Sequence, residues 1–339
     1  MQSELMTLKA FPHKKYTSIY NKKPLKPLLS SRPLLVLIPG NPGLVDFYFT
    51  YLDLIQKRHP SLELLCISHA GFKSDDISTS DDSTFSFYNL DFQIKHKLDI
   101  LKHFILSENR PAELYFLSHS VGSYVTQRVV HGLINDNELQ NKMHIKFIGL
   151  ICPTIIDIGR SNSGQAISKM FAYLPVIQIA VYFSTLMNFI LPEQFIKYLV
   201  KNTVIEKGTS TNEETKESIE NSTMGALKIF KSTNIIKQAL NLAKDEMKTI
   251  LKDDEFNDWF FESLSSKHDV RIWTYFAHND HWVHDTTKDY ILARYHSNHN
   301  RNLSFQIGDL EDSITHSFCV NESIEFSEIT SEKLSEFFP

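Results

Sequence analysis

The sequence predicts an α/β protein with a mostly parallel central sheet, helices on both faces and one large helical insertion. Short, mostly apolar runs bounded by breaks are typical of buried parallel strands, and they occupy residues 34–38, 62–67, 113–117, 144–152, 270–277 and 303–307. Helical apolar stripes lie between several of these runs, as in residues 87–106. Strands that alternate with helices favour a parallel sheet with crossover connections.

Residues 154–268 interrupt this alternation, because they read almost wholly as helix or loop. We therefore divide the chain into a first part of the core (1–153), a helical cap (154–268) and a second part of the core (269–339). Within the cap, residues 207–221 are charged and rich in Ser, Thr and Glu, which predicts a mobile surface stretch.

The remaining elements follow from the same local signals. Residues 16–20 predict an edge strand, residues 286–295 a helix before the last strand, and residues 331–338 a closing helix. Residues 74–86 are acidic and Ser/Thr-rich, which predicts a surface loop.

Composition narrows the class of protein. Hydrophobic residues make up 42% of the 339 residues, enough for a large core. The formal net charge is −5 and Lys and Arg are dispersed, which argues against a nucleic-acid partner. Cys66, Cys152 and Cys319 lie far apart, which favours a reduced, intracellular protein over a disulfide scaffold. Residues 1–30 contain no apolar stretch of signal-peptide length, and the chain does not end in a Ser-Lys-Leu type of address.

Residues 114–123 join a short strand to a helix through Ser118-His119-Ser120-Val121-Gly122. This is the context of a nucleophile elbow, in which a tight turn exposes a serine hydroxyl. Ser120 would be the nucleophile, and the N–H of Val121 would face the developing oxyanion. The usual pattern has glycine where this chain has Ser118, which is also small. The alternative is a polar loop that contains these residues by chance.

An acid and a histidine follow later strands in the order that α/β-hydrolases use. Asp280 comes just after residues 270–277, and His316 follows residues 303–307 after a short acidic loop. His316 would accept the proton of Ser120, and Asp280 would hold its tautomer. Asp285 and Asp289 are rival acids, although we expect Asp285 to cap the following helix.

The chain has 15 histidines, and several crowd the region around the predicted acid: His278, His281, His284, His296 and His299. His278 and His281 could form a metal pair. No second cluster at ligand spacing accompanies them, so we expect neither a metal nor a cofactor.

The loop at residues 39–43, Pro-Gly-Asn-Pro-Gly, follows the 34–38 strand directly. A hydrolase of this kind takes the second oxyanion N–H from the loop after an early strand. By position, Asn41 supplies it together with Val121. The alternative is an ordinary turn, since Asn-Pro-Gly is common in turns.

With these motifs in order, the chain resembles the lipid-droplet-associated hydrolase family of α/β-hydrolases. The matching stretches are residues 38–43, 47–48, 68–71, 90, 93–94, 96–97, 117–122, 279–283 and 316–318. The resemblance implies an α/β-hydrolase fold and a Ser120-Asp280-His316 triad. It also implies association with lipid droplets, a neutral-lipid ester as substrate, and localisation to lipid droplets and cytoplasm.

Three functions compete on this evidence. The first is a serine lipase or esterase of triacylglycerols or sterol esters. The second is a catalytically weak or inactive hydrolase-fold protein that binds or organises droplets, because fold does not guarantee activity. The third is a related acyl transfer, which would use the same acyl-enzyme.

Residues 170–192 form the longest uncharged, apolar run of the chain. The run would nominally cross the roughly 30 Å apolar layer of a bilayer, but Pro175 and several polar residues argue against a true span. It can instead lie at, or enter and leave, the phospholipid monolayer of a droplet, with Val176, Ile179 and Phe183 in contact with lipid. The alternative is a cap helix or helix pair packed over the active site.

Overall fold

The structure is a computed structural model that describes residues 17–73, 85–203, 212–296, 300–309 and 314–338. Its described residues form a seven-stranded sheet in the order β1-β3-β2-β4-β5-β6-β7. The strands are β1 (Ile19–Lys22), β2 (Arg32–Ile38), β3 (Glu63–Ile67), β4 (Ala112–His119), β5 (Met143–Ile151), β6 (Arg271–Phe276) and β7 (Leu303–Ile307).

The sheet is parallel except at one edge, where β1 runs antiparallel to β3. Every residue of β2 and β3 is buried, which is why these strands appear in the sequence as continuous apolar runs. The predicted α/β fold with a mostly parallel sheet is confirmed. The edge strand lies slightly later than residues 16–20.

Helices connect the strands and build the cap. The core helices are α1 (Phe49–Arg58), α2 (Leu90–Leu106), α3 (Val121–Ile134), α11 (Asp285–Ile291), α12 (Phe318–Asn321) and α13 (Ser323–Leu334). The helices between β5 and β6 are α4 (Asn162–Tyr173), α5 (Val176–Ile190), α6 (Glu193–Thr203), α7 (Glu213–Lys231), α8 (Thr233–Thr249), α9 (Asp254–Asp258) and α10 (Ser265–Lys267).

The described residues also contain short helices of other types. The 3-10 helices are Val45–Tyr48, Asn137–Leu139 and Ile158–Arg160, and the π-helices are Trp259–Leu264 and Leu292–His296. Of the predicted surface loop at residues 74–86, residues 74–84 lie outside the described residues, and residues 85–86 form neither helix nor strand.

The predicted mobile stretch at residues 207–221 is wrong where the structure describes it. Residues 213–221 form the first half of α7, and the Asn212 side chain caps this helix by accepting from the Thr215 N–H. Thr215 and Ser218 are buried because α7 packs against α1. Small polar residues therefore form the buried face of this helix. Their polarity is the reason why the composition predicted a surface stretch. Residues 207–211 lie outside the described residues.

The closing helix also differs from its predicted bounds. Helix α13 begins at Ser323, well before residue 331, and ends at Leu334. Its buried face is again rich in small hydroxyl residues, including Ser327 and Thr330, so it lacks a strong apolar stripe.

The α4–α5 pair carries a large apolar surface. Among the described residues, no single helix has both the length and the apolar character needed to cross a membrane. Helices α4 and α5 reach this length only together, and the chain bends by 88° between them. Tyr173, Tyr182 and Phe189 are mostly exposed, so the pair presents aromatic side chains outward.

Candidate active site

The turn between β4 and α3 has the geometry of a nucleophile elbow. Ser120 connects the two elements with φ 53° and ψ −125°, a strained conformation for a residue with a side chain. A Cβ at Gly122 would lie 2.3 Å from the carbonyl oxygen of Ile38, so only glycine lets the start of α3 approach the end of β2 this closely. Ser118, at the position of the usual glycine, is fully buried and its hydroxyl donates to the Gly149 carbonyl at 3.2 Å.

The structure brings the three predicted catalytic residues together. The Oγ of Ser120 lies 2.9 Å from Nε2 of His316, and Nδ1 of His316 lies 2.7 Å from Oδ2 of Asp280. The other oxygen of Asp280 accepts hydrogen bonds from the backbone N–H groups of Trp282 and Val283 at 2.8 and 3.0 Å. Both oxygens of this carboxylate are therefore fixed in place.

The environment of Asp280 favours its charged form. Burial by itself would raise the pKa of Asp280, but the neighbouring His316 and the two backbone N–H donors outweigh it. The net result is a pKa below the ordinary value, so the carboxylate stays ionised beside the imidazole. This is the state in which an aspartate can orient a histidine and stabilise its protonated form.

The rival acids lie elsewhere. Asp285 is exposed in the first turn of α11 and pairs with Lys288 at 2.8 Å. The capping role predicted for Asp285 is wrong, because the ring of His284 accepts from the Thr286 N–H instead. Asp289 is exposed on the same helix.

The two predicted oxyanion donors lie on the segments beside Ser120. A Cβ at Gly40 would lie 3.2 Å from the Cβ of Ser120, so the loop after β2 passes directly next to the elbow. Asn41 lines the same cavity as Ser120, and Val121 is the first residue of α3. Within the described chain, neither backbone N–H donates to a protein acceptor, which leaves both available to an anion.

A hydrogen-bonded pair that sequence reasoning missed links three parts of this site. The Tyr48 hydroxyl accepts from the Gly40 N–H at 3.0 Å and lies 2.7 Å from Nδ1 of His119. The Nε2 of His119 lies 2.7 Å from the His316 carbonyl oxygen. Burial, followed by the neighbouring His316, lowers the pKa of His119 to about 3, so its ring is neutral.

A neutral ring fixes the direction of each hydrogen bond. Nε2–H of His119 donates to the carbonyl of His316, and Nδ1 accepts from the Tyr48 hydroxyl. The pair thereby connects the oxyanion loop, the elbow and the histidine loop. Tyr48 and His119 were visible only as members of the matched motifs, and nothing local indicated that they would meet.

The hydrogen-bonded triad lies at the wall of a cavity of about 260 Å³ between core and cap. Apolar side chains such as Ile158, Ile167 and Leu240 contribute much of its lining. One cap residue that sequence reasoning also missed, Glu246 of α8, brings a carboxyl group into this cavity.

Among the described residues, the side chains close enough to share a metal ion are Cys152, Asp280 and His316. Two of them already bond each other in the triad, and the third is a buried thiol behind Asp280 whose pKa burial raises well above its ordinary value. The three cysteines are free and buried. His281, one member of the histidine pair, bonds the Ser163 hydroxyl at the start of α4.

Comparison with solved structures agrees with this architecture. A carboxylesterase of the thaumarchaeon Nitrososphaera gargenis superposes with a TM-score of 0.54 over 94% of each chain at 12% identity. An epoxide hydrolase from Vigna radiata gives a TM-score of 0.51 over 94% of each chain at 14% identity. These likenesses identify the fold as that of the α/β-hydrolases, as predicted.

Sequence comparison identifies the family. The family model described as lipid-droplet associated hydrolase matches residues 31–319. A relative from Gallus gallus named "Lipid droplet-associated hydrolase" is 24% identical over 323 residues, which cover 90% of this chain and 85% of the relative. One of the same name from Homo sapiens is 22% identical over 349 residues, with coverage of 98% and 92%. The chain is thus a hydrolase that belongs to the lipid droplet-associated hydrolase family.

Proposed function

We propose that the protein is a serine hydrolase that cleaves neutral-lipid esters, such as triacylglycerols or sterol esters, at lipid droplets. The observation that carries this proposal is the unbroken hydrogen-bonded series from Ser120 Oγ through His316 to Asp280 at the wall of a largely apolar cavity. A serine hydroxyl held by a buried histidine–carboxylate pair is suited to attack an acyl carbon.

The proposed reaction proceeds in two acyl transfers. His316 accepts the proton of Ser120 as its Oγ bonds to the ester carbonyl carbon, and the resulting oxyanion is held by the N–H groups of Asn41 and Val121. The bond to the alcohol oxygen then breaks, and His316 gives its proton to the departing alcohol. His316 then takes a proton from a water molecule, whose oxygen bonds to the acyl carbon. The bond from that carbon to Ser120 Oγ breaks, His316 returns the proton to Ser120, and the carboxylic acid is released.

The cavity supports an ester with apolar parts. Its lining lacks Lys and Arg among the described residues, and aliphatic side chains from both the core and the cap contribute to it. A cavity of about 260 Å³ holds only part of a long-chain ester, because ligand pockets for drug-sized molecules span roughly 300–1,000 Å³. The remaining chains of a neutral lipid would extend past the cap.

The relatives' shared name supports action at lipid droplets, and α5 offers the contact surface. Ile179 and Phe183 are about half exposed, at 52% and 54%, and Val176 is partly buried at the helix start. Apolar side chains at an aqueous surface gain free energy when they enter the boundary between headgroups and acyl chains. We infer that this face of α5 contacts the droplet monolayer.

The test is labelling with a serine-directed phosphonate, followed by identification of the modified residue. Wild-type protein should be modified at Ser120, and Ser120→Ala should lose both labelling and ester cleavage. Ser317→Ala is the matched control, because Ser317 lines the same cavity beside His316 but belongs to no triad contact. This variant should label and cleave like wild type.

Two results would contradict the proposal. Equal ester cleavage by wild type and Ser120→Ala would remove Ser120 from the reaction. A folded wild-type protein that neither labels nor cleaves any ester, yet stays on droplets, would favour the non-catalytic droplet-binding alternative. Adding an acceptor alcohol to the assay separates hydrolysis from acyl transfer by the product formed.

A further inference from the structure

Glu246 is a buried acid in the proposed active site that the triad mechanism does not use. It lies near the end of cap helix α8, is 4% exposed, and lines the cavity that also contains Ser120 and His316. An unpaired carboxylate is costly to bury, so its partners decide what it does here.

The partner of Glu246 is the side chain of Asn41, the predicted oxyanion residue. The Asn41 amide nitrogen donates to Oε1 of Glu246 at 2.9 Å and to the Ala239 carbonyl oxygen at 3.0 Å. Both acceptors belong to α8, so this one cap helix fixes the side chain of the oxyanion loop. In the part of the chain that the structure describes, Glu246 forms no ion pair with a Lys, Arg or His.

The oxygen of the same Asn41 amide lacks a hydrogen-bond donor. The Oδ1 of Asn41 is buried and has no hydrogen-bond partner among the described residues. A protonated Glu246 has the donor that this oxygen lacks, and a carboxylic acid and an amide can then pair through both of their polar edges. Burial, the largest effect, raises the pKa of Glu246 from 4.5 to about 8, although the hydrogen bond from Asn41 opposes it.

We propose that Glu246 is a positioning residue for the reaction, acting as an uncharged carboxylic acid that holds Asn41 so that its backbone N–H faces the oxyanion. This role rests on the proposed function above. It explains why an acid without a counter-charge lies in a largely apolar cavity. Ionised, the same group would place a negative charge in the cavity where the reaction itself develops one.

Among the described residues, no Lys or Arg side chain lines the cavity beside Glu246. On α8 itself, the other charged residues are Asp245 and three lysines, of which Lys244 and Lys248 are exposed and Lys237 lies over the ring of Phe85. The titratable groups around Glu246 on other elements include two ion pairs and two histidines: Asp157 with Arg160, Asp46 with Lys228, His119 and His316. The charge of Asp245 raises the pKa of Glu246 further. The cations of the two ion pairs are already matched by acids, and His119 is neutral.

The experiment compares Glu246→Gln and Glu246→Ala with wild type on a short soluble ester from pH 6 to pH 10. We expect kcat of wild type to fall above about pH 8, where Glu246 loses its proton. Gln has the shape and the donor of the protonated acid, so Glu246→Gln should keep activity near neutral pH and lack this fall. Glu246→Ala should lower kcat roughly tenfold to a hundredfold at every pH, with a smaller effect on KM. Glu255→Gln, an exposed cap glutamate, should behave like wild type.

Stability against pH gives a readout that needs no activity. Because the folded protein keeps the Glu246 proton and the unfolded chain releases it at its ordinary pKa, wild-type stability should fall relative to Glu246→Gln between pH 4.5 and about 8. Parallel stability curves would overturn the uncharged acid whether or not the protein cleaves esters. A curve that diverges as expected, with an unchanged alkaline limb of kcat in Glu246→Gln, would overturn the positioning role alone. If the wild-type protein cleaves no ester at all, the proposed function is overturned instead.

Discussion

Strand β2 and cap helix α5 are both apolar, yet β2 is buried and α5 is mostly exposed. All seven residues of β2 are buried between helices and neighbouring strands. In α5 the one buried residue is the polar Ser184, whose hydroxyl donates to the Phe230 carbonyl oxygen. Phe189 on the same helix is 88% exposed.

This contrast shows that an apolar sequence predicts only that a segment gains free energy by leaving water. The surrounding structure decides what covers the segment. The sheet covers β2 within the protein itself. Helix α5 uses Ser184 and Asn188 to bond α7 and leaves its aromatic side chains outward. A large exposed apolar surface marks a binding surface for protein or lipid. The protein therefore covers the apolar side chains of β2 itself, whereas those of α5 remain available to a partner.

The largest expected effect is a loss of kcat from a substitution in the core that leaves droplet binding by the cap unchanged. Asp280→Asn should lower kcat roughly 10⁴-fold, because an amide favours the wrong tautomer of His316. Asp285→Asn is the matched control and should change kcat little, since Asp285 bonds only Lys288 among the described residues. Both variants should remain on droplets. A large loss in Asp285→Asn alone would assign the acid to that residue.

The second prediction applies one substitution to each region. Ile38→Ala in β2 should lower the free energy of unfolding by about 2–5 kcal/mol, because it leaves a cavity in the core. Ile190→Ala at the end of α5, where the side chain is 59% exposed, should change it by roughly 0.5 kcal/mol or less. Urea denaturation of both variants in the absence of lipid measures the difference. Equal losses would mean that α5 is packed in solution.

The third prediction addresses the droplet contact. Changing Val176, Ile179 and Phe183 together to Ser or Asn should lower the droplet-to-water partition on the order of 10²-fold, since each loses apolar surface that would enter the monolayer. Flotation with isolated droplets measures the partition, and cleavage of a short soluble ester should persist. Leu29→Ser is the control, because Leu29 is 98% exposed but belongs to the segment before β2 and not to α5. Unchanged flotation of a folded triple variant would place the droplet contact elsewhere.

The smallest effect concerns the pair beneath the active site. Tyr48→Phe should lower kcat about tenfold, because Gly40 loses an acceptor and His119 loses a donor in a buried site. Tyr51→Phe removes a comparable buried hydroxyl, bonded to Thr330, and should lower stability without lowering kcat. Similar kcat values for the two variants would show that the Tyr48–His119 pair does not position the site.

The sequence predicted the parts of the molecule that depend on local pattern. Buried strands such as β2 and β3 appeared as apolar runs, and the elbow appeared as a strand followed by a helix. The triad order followed from the order of the strands. Helices α7 and α13 were misjudged because their inner faces carry Ser and Thr, whose burial depends on a neighbouring helix.

The supporting residues of the site could not be predicted in this way. Asn41 and Glu246 are 205 residues apart in the chain, and His119 meets the carbonyl of His316 over a separation of 197 residues. Each of these contacts depends on the packing of the cap or of a late loop, and no local period or spacing encodes it. That the Glu246 carboxyl group is buried without a cation can be recognised only from the folded cavity.

The connection of the cavity-lining helix α4 to the exposed helix α5 has a kinetic consequence. Ile167 of α4 lines the cavity, and α5, which follows α4 after one bend, carries the exposed side chains of Tyr182 and Phe189. On the proposed function, an ester would arrive by lateral diffusion in the monolayer. The surface concentration of the ester in that monolayer would then set the rate. Small droplets would then be consumed faster than large ones of equal total volume, because they offer more surface for the same oil.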